Sequence, residues 1–334
     1  MNSIERITAA VTFQKSDRIP VIAQIFGHSA LISGHNLSEY VNSGEIAAKC
    51  QINALKRYGY DAVFAIFDTC IETEAAGSHI LYREDLYPAV QSYALTPNAN
   101  MNLLKIPDPY KDGRMPELLK AVKILSQEVG NETLVVGCIM GPMTLATQLT
   151  GIEDALYLAM DDSEQFEKLL DYATEVGIAF GTAQMEAGAH LPLIFDPSAS
   201  PAVVPPSFFR EFILPRHKKI FESFKSAGSV ANWLHITGSA LPILPFYAES
   251  GVNIANIDYC VDPVKAQEAL PNVCLDGNIK SFAFVEVAPD EIRTEAEKII
   301  QLFTTRGGFI LSSGCEIPPE SKPENIAALV DAAS

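Results

Sequence analysis

The chain has 334 residues, of which 48% are hydrophobic, and its formal net charge is −17. This length provides one large core and exceeds the roughly 250 residues of a typical α/β barrel by a moderate insertion. The negative charge argues against nucleic-acid and anionic-membrane partners, because both would be repelled. The start MNSIERITAA lacks a signal-peptide pattern, no apolar run is long enough to span a membrane, and the six cysteines contain no C-x-x-C pair. We therefore expect a cytoplasmic protein with reduced thiols.

Eight short apolar segments recur along the chain, and most of them precede a stretch with helical spacing. The segments are 19–26, 61–67, 133–140, 191–196, 230–236, 253–258, 273–278 and 309–314. Near-continuous apolar runs of this length are typical of parallel strands that are buried on both faces. The pattern predicts an α/β fold, a single (β/α)₈ TIM barrel that forms one domain over residues 1–334. An open doubly wound sheet would need a Gly-rich turn after an early strand, and IFGHSALISG does not supply one.

Helices are predicted between the strands, most clearly at 43–59, 116–130, 205–228 and 289–305. The longest connection, 68–132, instead begins with the strand-like stretches SHILYRED and LYPAVQSYAL. Long connections within a compact domain are usually lids or binding loops. We expect this one to be an insertion over the barrel mouth.

Polar side chains follow most of the predicted strands, at the end of a barrel where active sites lie. They are His28, Asp68, Cys70, Asp196, His235, Thr237, Asp258, Asn278, Cys315 and Glu316. Taken singly, an aspartate here is often a helix N-cap and an asparagine is often a turn residue. Strand ends that are distant in sequence meet around a shared mouth, however, so the set predicts a pocket. We expect His28, Asp68, Asp196 and Asn278 to line it as substrate-binding residues.

A metal site is one interpretation of this mouth. Zn²⁺ accepts imidazole nitrogen, thiolate sulfur and carboxylate oxygen, and His235, Cys315 and Asp258 offer these three ligands. Their spacing is too wide to be a metal motif by itself, and a lone histidine after a strand is more often a hydrogen-bonded residue. The spacing of these residues alone therefore leaves open both a zinc site and a hydrogen-bonded histidine.

Six segments carry a family resemblance along essentially the whole chain. They are ERITAAVTFQKSDRIPV, IPDPYKDGRMP, GPMTLATQLTG, FREFILPRHKKIF, LDGNI and FILSSGCEIPPESKPENIAALVDA. These segments resemble the uroporphyrinogen decarboxylase superfamily, and in particular its methylcobamide:coenzyme M methyltransferases and their bacterial relatives. The resemblance implies a methyltransferase that moves a methyl group between a corrinoid, carried on a small corrinoid protein, and a small thiol or pterin acceptor.

The resemblance also implies a zinc site, because that branch binds catalytic zinc through a histidine and two cysteines in H-x-C-G and G-C. The matching segments here are HITG (235–238) and GCEIPP (314–319). His235 and Cys315 are thereby implied as catalytic zinc ligands, whereas Thr237 replaces the first cysteine with a much poorer ligand. Either Asp258 completes the ligand set, or the protein carries out related chemistry without the metal.

Two rival functions remain at this stage. The first is a decarboxylase or other lyase acting on a tetrapyrrole, but the stretch 19–55 contains one lysine and no arginine with which to bind the carboxylates of uroporphyrinogen. The second is a non-catalytic protein that binds a corrinoid or a methyl donor, which the altered zinc motif would suit.

Overall fold

Eight parallel strands form the centre of the protein in the computed structural model, which describes residues 1–95 and 104–334. The order around the barrel is β1-β10-β9-β8-β7-β6-β5-β2, and every neighbouring pair is parallel. The strands are β1 (Val21–Ile22), β2 (Ala62–Ala65), β5 (Leu134–Met140), β6 (Leu191–Phe195), β7 (Trp233–His235), β8 (Ile254–Asn256), β9 (Cys274–Ile279) and β10 (Phe309–Ser313). Seven of the eight predicted segments contain one of these strands, the segment 273–278 ends one residue before β9 does, and the predicted barrel is confirmed.

The seam between β1 and β2 is held together by Asp61, which directly precedes β2. Its backbone amide donates to the Val21 carbonyl at 2.8 Å, and its carboxylate accepts from the Val21 amide at 2.8 Å. Arg6 and Arg18 both form ion pairs with the same fully buried carboxylate. The Asp61 carboxylate can remain charged inside the amino-terminal end of the barrel because it is both ion-paired and hydrogen-bonded.

Helices surround the barrel and alternate with its strands. They are α1 (Ser3–Val11), α2 (Gly27–Ile32), α3 (Leu37–Asn42), α4 (Gly44–Tyr58), α5 (Ile71–Ala75), α6 (Met115–Val129), α7 (Pro142–Thr150), α8 (Ile152–Asp161), α9 (Ser163–Glu186), α10 (Pro206–Phe208), α11 (Leu214–Ser226), α12 (Leu244–Ser250), α13 (Pro263–Ala269), α14 (Ala283–Glu286), α15 (Pro289–Phe303) and α16 (Pro323–Asp331). A π-helical turn, Phe209–Ile213, joins α10 to α11.

Local sequence explains where α4 begins and ends. The Ser43 side chain accepts from the Ile46 amide at its start, and Gly59 ends it in the left-handed conformation at φ 74°. Among the described residues, no helix is long and apolar enough to cross a membrane.

The predicted insertion contains a two-stranded antiparallel hairpin, β3 (His79–Leu81) and β4 (Ala89–Ser92). The strand-like stretches in the sequence correspond to this hairpin. Residues 96–103 of the insertion lie outside the described part of the chain. Two side chains of the insertion, Tyr87 and Arg114, hydrogen-bond to residues at the carboxyl ends of the barrel strands.

Candidate active site

A cavity of about 170 Å³ opens at the carboxyl ends of the barrel strands. Residues that follow β1, β2, β6, β7 and β10 line it, together with one residue of the hairpin. The lining residues are Phe26, Ile66, Phe67, Asp68, Thr69, Tyr87, Phe195, Pro197, His235, Thr237, Cys315 and Glu316. The strand ends therefore converge on one site, as the barrel fold predicts.

His235, at the end of β7, is the most unusual polar residue of the cavity. Its side chain is 1% exposed, and neither ring nitrogen has a hydrogen-bond partner within the described ranges 1–95 and 104–334. The Phe195 ring packs against it with the ring centroids 4.6 Å apart. Burial lowers the pKa of His235 to about 3, so the imidazole is neutral near pH 7. Buried polar atoms normally have partners, so a neutral ring without any marks a position for a ligand.

Cys315 and Thr237 line the same cavity as His235, from the ends of β10 and β7. Burial raises the pKa of the Cys315 thiol to about 12, so it is protonated near neutral pH. Of His235, Asp258 and Cys315, which we expected to share one cavity, the structure brings His235 and Cys315 to the same lining, together with Thr237.

Asp258, the third predicted ligand, is not among the residues that line the cavity, although its charge helps to raise the pKa of the Cys315 thiol. Its Oδ2 accepts from the Gly238 amide at 2.7 Å and its Oδ1 accepts from the Tyr259 amide at 2.6 Å. The carboxylate is held by the backbone at the ends of β7 and β8 and is absent from the cavity lining. Gly314 permits this packing, because a Cβ there would lie 2.7 Å from Asp258 Oδ1.

The described residues do not fit a three-ligand zinc site. Nowhere in residues 1–95 and 104–334 are three His, Cys, Asp or Glu side chains grouped so that they could hold a metal ion. His235 and Cys315 are the two ligand types present in the cavity, and the Thr237 hydroxyl is a weak third.

Glu316 is the carboxylate that the cavity contains in addition to Asp68. Its Oε1 accepts from the Tyr87 hydroxyl at 2.5 Å and from the Gly27 amide at 3.3 Å. Burial raises the pKa of Glu316 to about 7. Glu316 was expected at a strand end without a specific role, and its position next to Cys315 is the sequence signal that points to this cavity. Tyr87 lies in the hairpin, and no sequence pattern around it indicates that it reaches the cavity.

Asp68 lines the cavity and shares a single cation, Arg114, with a second carboxylate. Arg114 binds it with Nη1 to Oδ2 at 2.5 Å, and the Cys70 amide donates to Oδ1 at 2.7 Å. Arg114 also binds Glu74 through Nε at 2.7 Å. Arg114 lies within the segment IPDPYKDGRMP that carries the family resemblance, and only the fold shows that it reaches the barrel mouth.

The other three predicted substrate-binding residues lie elsewhere, and none of them lines this cavity. His28 is bonded through its two ring nitrogens to the Pro319 carbonyl and the Tyr58 hydroxyl. Asp196 accepts from the Thr144 amide, in the first turn of α7, and from His217. Asn278 donates to the Val261 carbonyl and lines a different groove, beside α15.

A buried polar layer occupies the barrel interior, on the strands that carry the cavity at their ends. Asp276 on β9 is fully buried, and its Oδ2 accepts from the Asn256 amide group at 3.0 Å. Burial raises the pKa of Asp276 to about 7. In the part of the chain that the structure describes, Asp276 Oδ1, Trp233 Nε1 and Gln24 Oε1 have no protein partner. Such clusters are the usual positions of buried water.

Fold and site together define a (β/α)₈-barrel enzyme with its active site at the carboxyl ends of the strands. The chain belongs to the uroporphyrinogen decarboxylase (URO-D) family, whose model matches residues 2–334. The predicted family is therefore confirmed.

Relatives within the family include methyltransferases and decarboxylases. The methylcobamide:CoM methyltransferase MtaA of Methanosarcina barkeri is 30% identical, over 98% of this chain and 96% of its own. A solved structure, a methyltransferase from Methanosarcina mazei, is 28% identical with a TM-score of 0.91, covering 99% of this chain and 98% of that one. A uroporphyrinogen decarboxylase from Syntrophotalea carbinolica is 27% identical, over 88% of this chain and 84% of its own. The prediction of a methyltransferase agrees with the first two relatives.

Proposed function

We propose that this enzyme transfers a methyl group between a corrinoid, carried by a small corrinoid protein, and a small molecule bound in the cavity. One observation carries the proposal. The unpartnered, neutral His235 lies with Cys315 in a small apolar cavity at the strand ends of a chain whose relatives include methylcobamide methyltransferases.

The size of the cavity indicates that only one of the two substrates, the small molecule, binds inside it. An apolar cavity of about 150 Å³ accommodates benzene, and this one measures about 170 Å³. A molecule of similar size fits inside, whereas a corrin ring has to remain outside the mouth. A corrinoid presented by a partner protein meets that requirement. The same limit disfavours a tetrapyrrole substrate and therefore the decarboxylase alternative.

Size also separates the two acceptor classes that the resemblance implies. A small thiol is within the capacity of the cavity, and a pterin, with its fused rings and side chain, exceeds it. We therefore favour a small acceptor of about the size of a thiol over a pterin.

The proposed reaction is an in-line displacement on the methyl carbon. The lone pair of the acceptor forms the new bond to carbon, the carbon–cobalt bond breaks, and its electron pair leaves with cobalt as Co(I). Phe26, Phe67 and Phe195 exclude water from the acceptor, and His235 orients it through one hydrogen bond. No step is assigned to zinc.

Anaerobic absorbance spectroscopy tests this function. Methylcobalamin is mixed with the enzyme and a small acceptor, and in the reverse direction cob(I)alamin is mixed with a methylated donor. Enzyme-dependent interconversion of the two spectra supports the proposal. A spectral shift from binding alone, without demethylation, would favour the non-catalytic corrinoid-binding alternative, and the absence of any change would contradict both.

A further inference from the structure

We propose that the methylated substrate of this cavity is a cation, a sulfonium or a quaternary ammonium, and that its demethylated form is a thioether or a tertiary amine. This inference rests on the proposed methyl transfer and specifies the chemical class of the small molecule.

Aromatic rings make up much of the cavity wall. Phe26, Phe67, Tyr87 and Phe195 all line it. The rings of Phe26 and Phe195 meet nearly at right angles, with centroids 6.1 Å apart and an interplanar angle of 88°. Aromatic faces carry negative charge density, and groups of such rings are the usual way in which proteins bind methylated ammonium ions.

The charges at the cavity favour a cation as well. Glu316 and Asp68 line it, and no lysine or arginine within the described residues does so. Arg114 reaches Asp68 but is shared with Glu74, so the surroundings keep a net negative charge. A thiolate or a sulfonate bound here would be repelled, whereas an onium head group would be attracted.

An onium substrate also fits the replacement of a zinc-binding cysteine by Thr237, because its reaction does not need a zinc ion to remove a proton. A thiol acceptor has to lose a proton, and the described residues do not provide the three-ligand zinc site that would promote this loss. A thioether has no proton to lose, and in the donor direction neither a sulfonium nor a quaternary ammonium ion carries one on the reacting atom. In the donor direction, Co(I) attacks a methyl carbon of the onium ion, and the carbon–sulfur or carbon–nitrogen bond breaks. Its electron pair remains on sulfur or nitrogen, so a neutral product is left in the cavity.

Isothermal titration of the purified chain, without any corrinoid, tests the inference. Choline is compared with its neutral isostere 3,3-dimethylbutan-1-ol, and 2-mercaptoethanesulfonate serves as the anionic probe. We expect choline to bind at least about tenfold more tightly than the isostere. Tetramethylammonium and trimethylsulfonium then decide between the two onium classes.

Variants identify the groups responsible. Glu316→Gln retains an acceptor for Tyr87 but removes the charge, so at pH 8, where the native carboxyl is ionised, choline affinity should fall by about tenfold while isostere affinity stays the same. Glu297→Gln makes the same change at an exposed position of α15, outside the cavity lining, and should alter neither affinity. Tyr87→Phe keeps the ring and should bind choline more tightly than Tyr87→Leu.

Equal affinity for choline and its isostere, tighter binding of the sulfonate, or no binding of any onium probe would overturn the inference. Because no corrinoid is present, these outcomes leave the methyl-transfer assay as an independent test. Tight onium binding without methyl transfer in either direction would instead refute the proposed function.

Discussion

Arg114, from the insertion, forms a bidentate ion pair with Asp68 at the end of β2. Nη1 lies 2.5 Å from Oδ2 and Nη2 lies 3.3 Å from Oδ1, and both side chains are almost fully buried. The same guanidinium donates to the Val41 carbonyl, at the end of α3, at 2.9 Å. One residue thus joins the insertion to the barrel mouth.

Replacing Arg114 with alanine should therefore be costly, because it leaves the Asp68 carboxylate buried without its counterion. We expect the free energy of unfolding to fall by about 3–5 kcal/mol, as measured by urea denaturation. The control is Arg293→Ala, whose partner Asp331 is 3.5 Å away in a pair exposed by 43% and 61%. That change should cost under about 1 kcal/mol. Equal losses in the two variants would show that the Arg114 pair does not stabilise the mouth.

Thr237→Cys should create a zinc site. The new thiol would line the cavity with His235 and Cys315 and complete an N,S,S ligand set, and thiolate binds zinc far better than a hydroxyl does. We expect the unmodified chain to be isolated with less than one zinc ion per chain. Removing zinc from the variant should require a chelator concentration more than about 100-fold higher than for the unmodified chain. Metal analysis and chelator competition measure this.

Two matched variants control the zinc measurement. Thr237→Ser keeps a hydroxyl and should gain nothing, and Cys315→Ser in the Thr237→Cys background should lose the gain. Unchanged zinc affinity in Thr237→Cys would mean that position 237 does not face the metal position.

Asp276→Asn should alter the pH dependence of stability. Burial raises the pKa of Asp276 to about 7 in the folded chain, against about 4 in the unfolded chain. The folded state therefore binds more protons between these values, so the contribution of Asp276 to stability is present below about pH 4 and is lost as the pH rises through about 7. The variant has no such titration, and an asparagine oxygen can still accept from Asn256.

Stability relative to the unmodified chain should consequently rise by a few kcal/mol from about pH 5 to about pH 8 in the Asp276→Asn variant. Thermal or urea unfolding at the two pH values measures the difference. Asp161→Asn, at an exposed position, provides the control and should show the same difference at both pH values. A parallel pH dependence in all three proteins would place the pKa of Asp276 in its ordinary range.

Uroporphyrinogen should not be decarboxylated at an ordinary enzymatic rate. The stretch 19–55 contains a single lysine and no arginine, and the cavity lining contains no cationic residue among those described. A tetrapyrrole with several carboxylates would find neither charge partners nor room. Chromatography of the porphyrin products after oxidation measures the activity, with an authentic decarboxylase as the positive control. Product formation at a comparable rate would contradict the size and charge arguments together.

Some of the cavity residues could be predicted from their positions at the ends of strands, and others could not. Asp68, His235, Thr237 and Cys315 were predicted to meet at the mouth, and all four line the cavity. The sequence could not tell which polar side chains at the strand ends were already engaged. Asp196 is bound by an amide of α7 and by His217, which lies on α11. Tyr87 reaches the cavity from the hairpin, although no pattern near residue 87 indicates a functional role.

The sequence by itself determined the barrel, because apolar periodicity is local and eight strand-and-helix units close in one common way. It also determined the family, through segments spread over the whole chain. Tertiary structure alone decided the chemistry of the cavity. Asp258 has the same local signature as Asp68, a carboxylate just after a strand, yet two backbone amides hold it outside the cavity. The direction of such a side chain depends on which donors lie within hydrogen-bonding distance, and the folded chain brings those donors from distant positions in sequence.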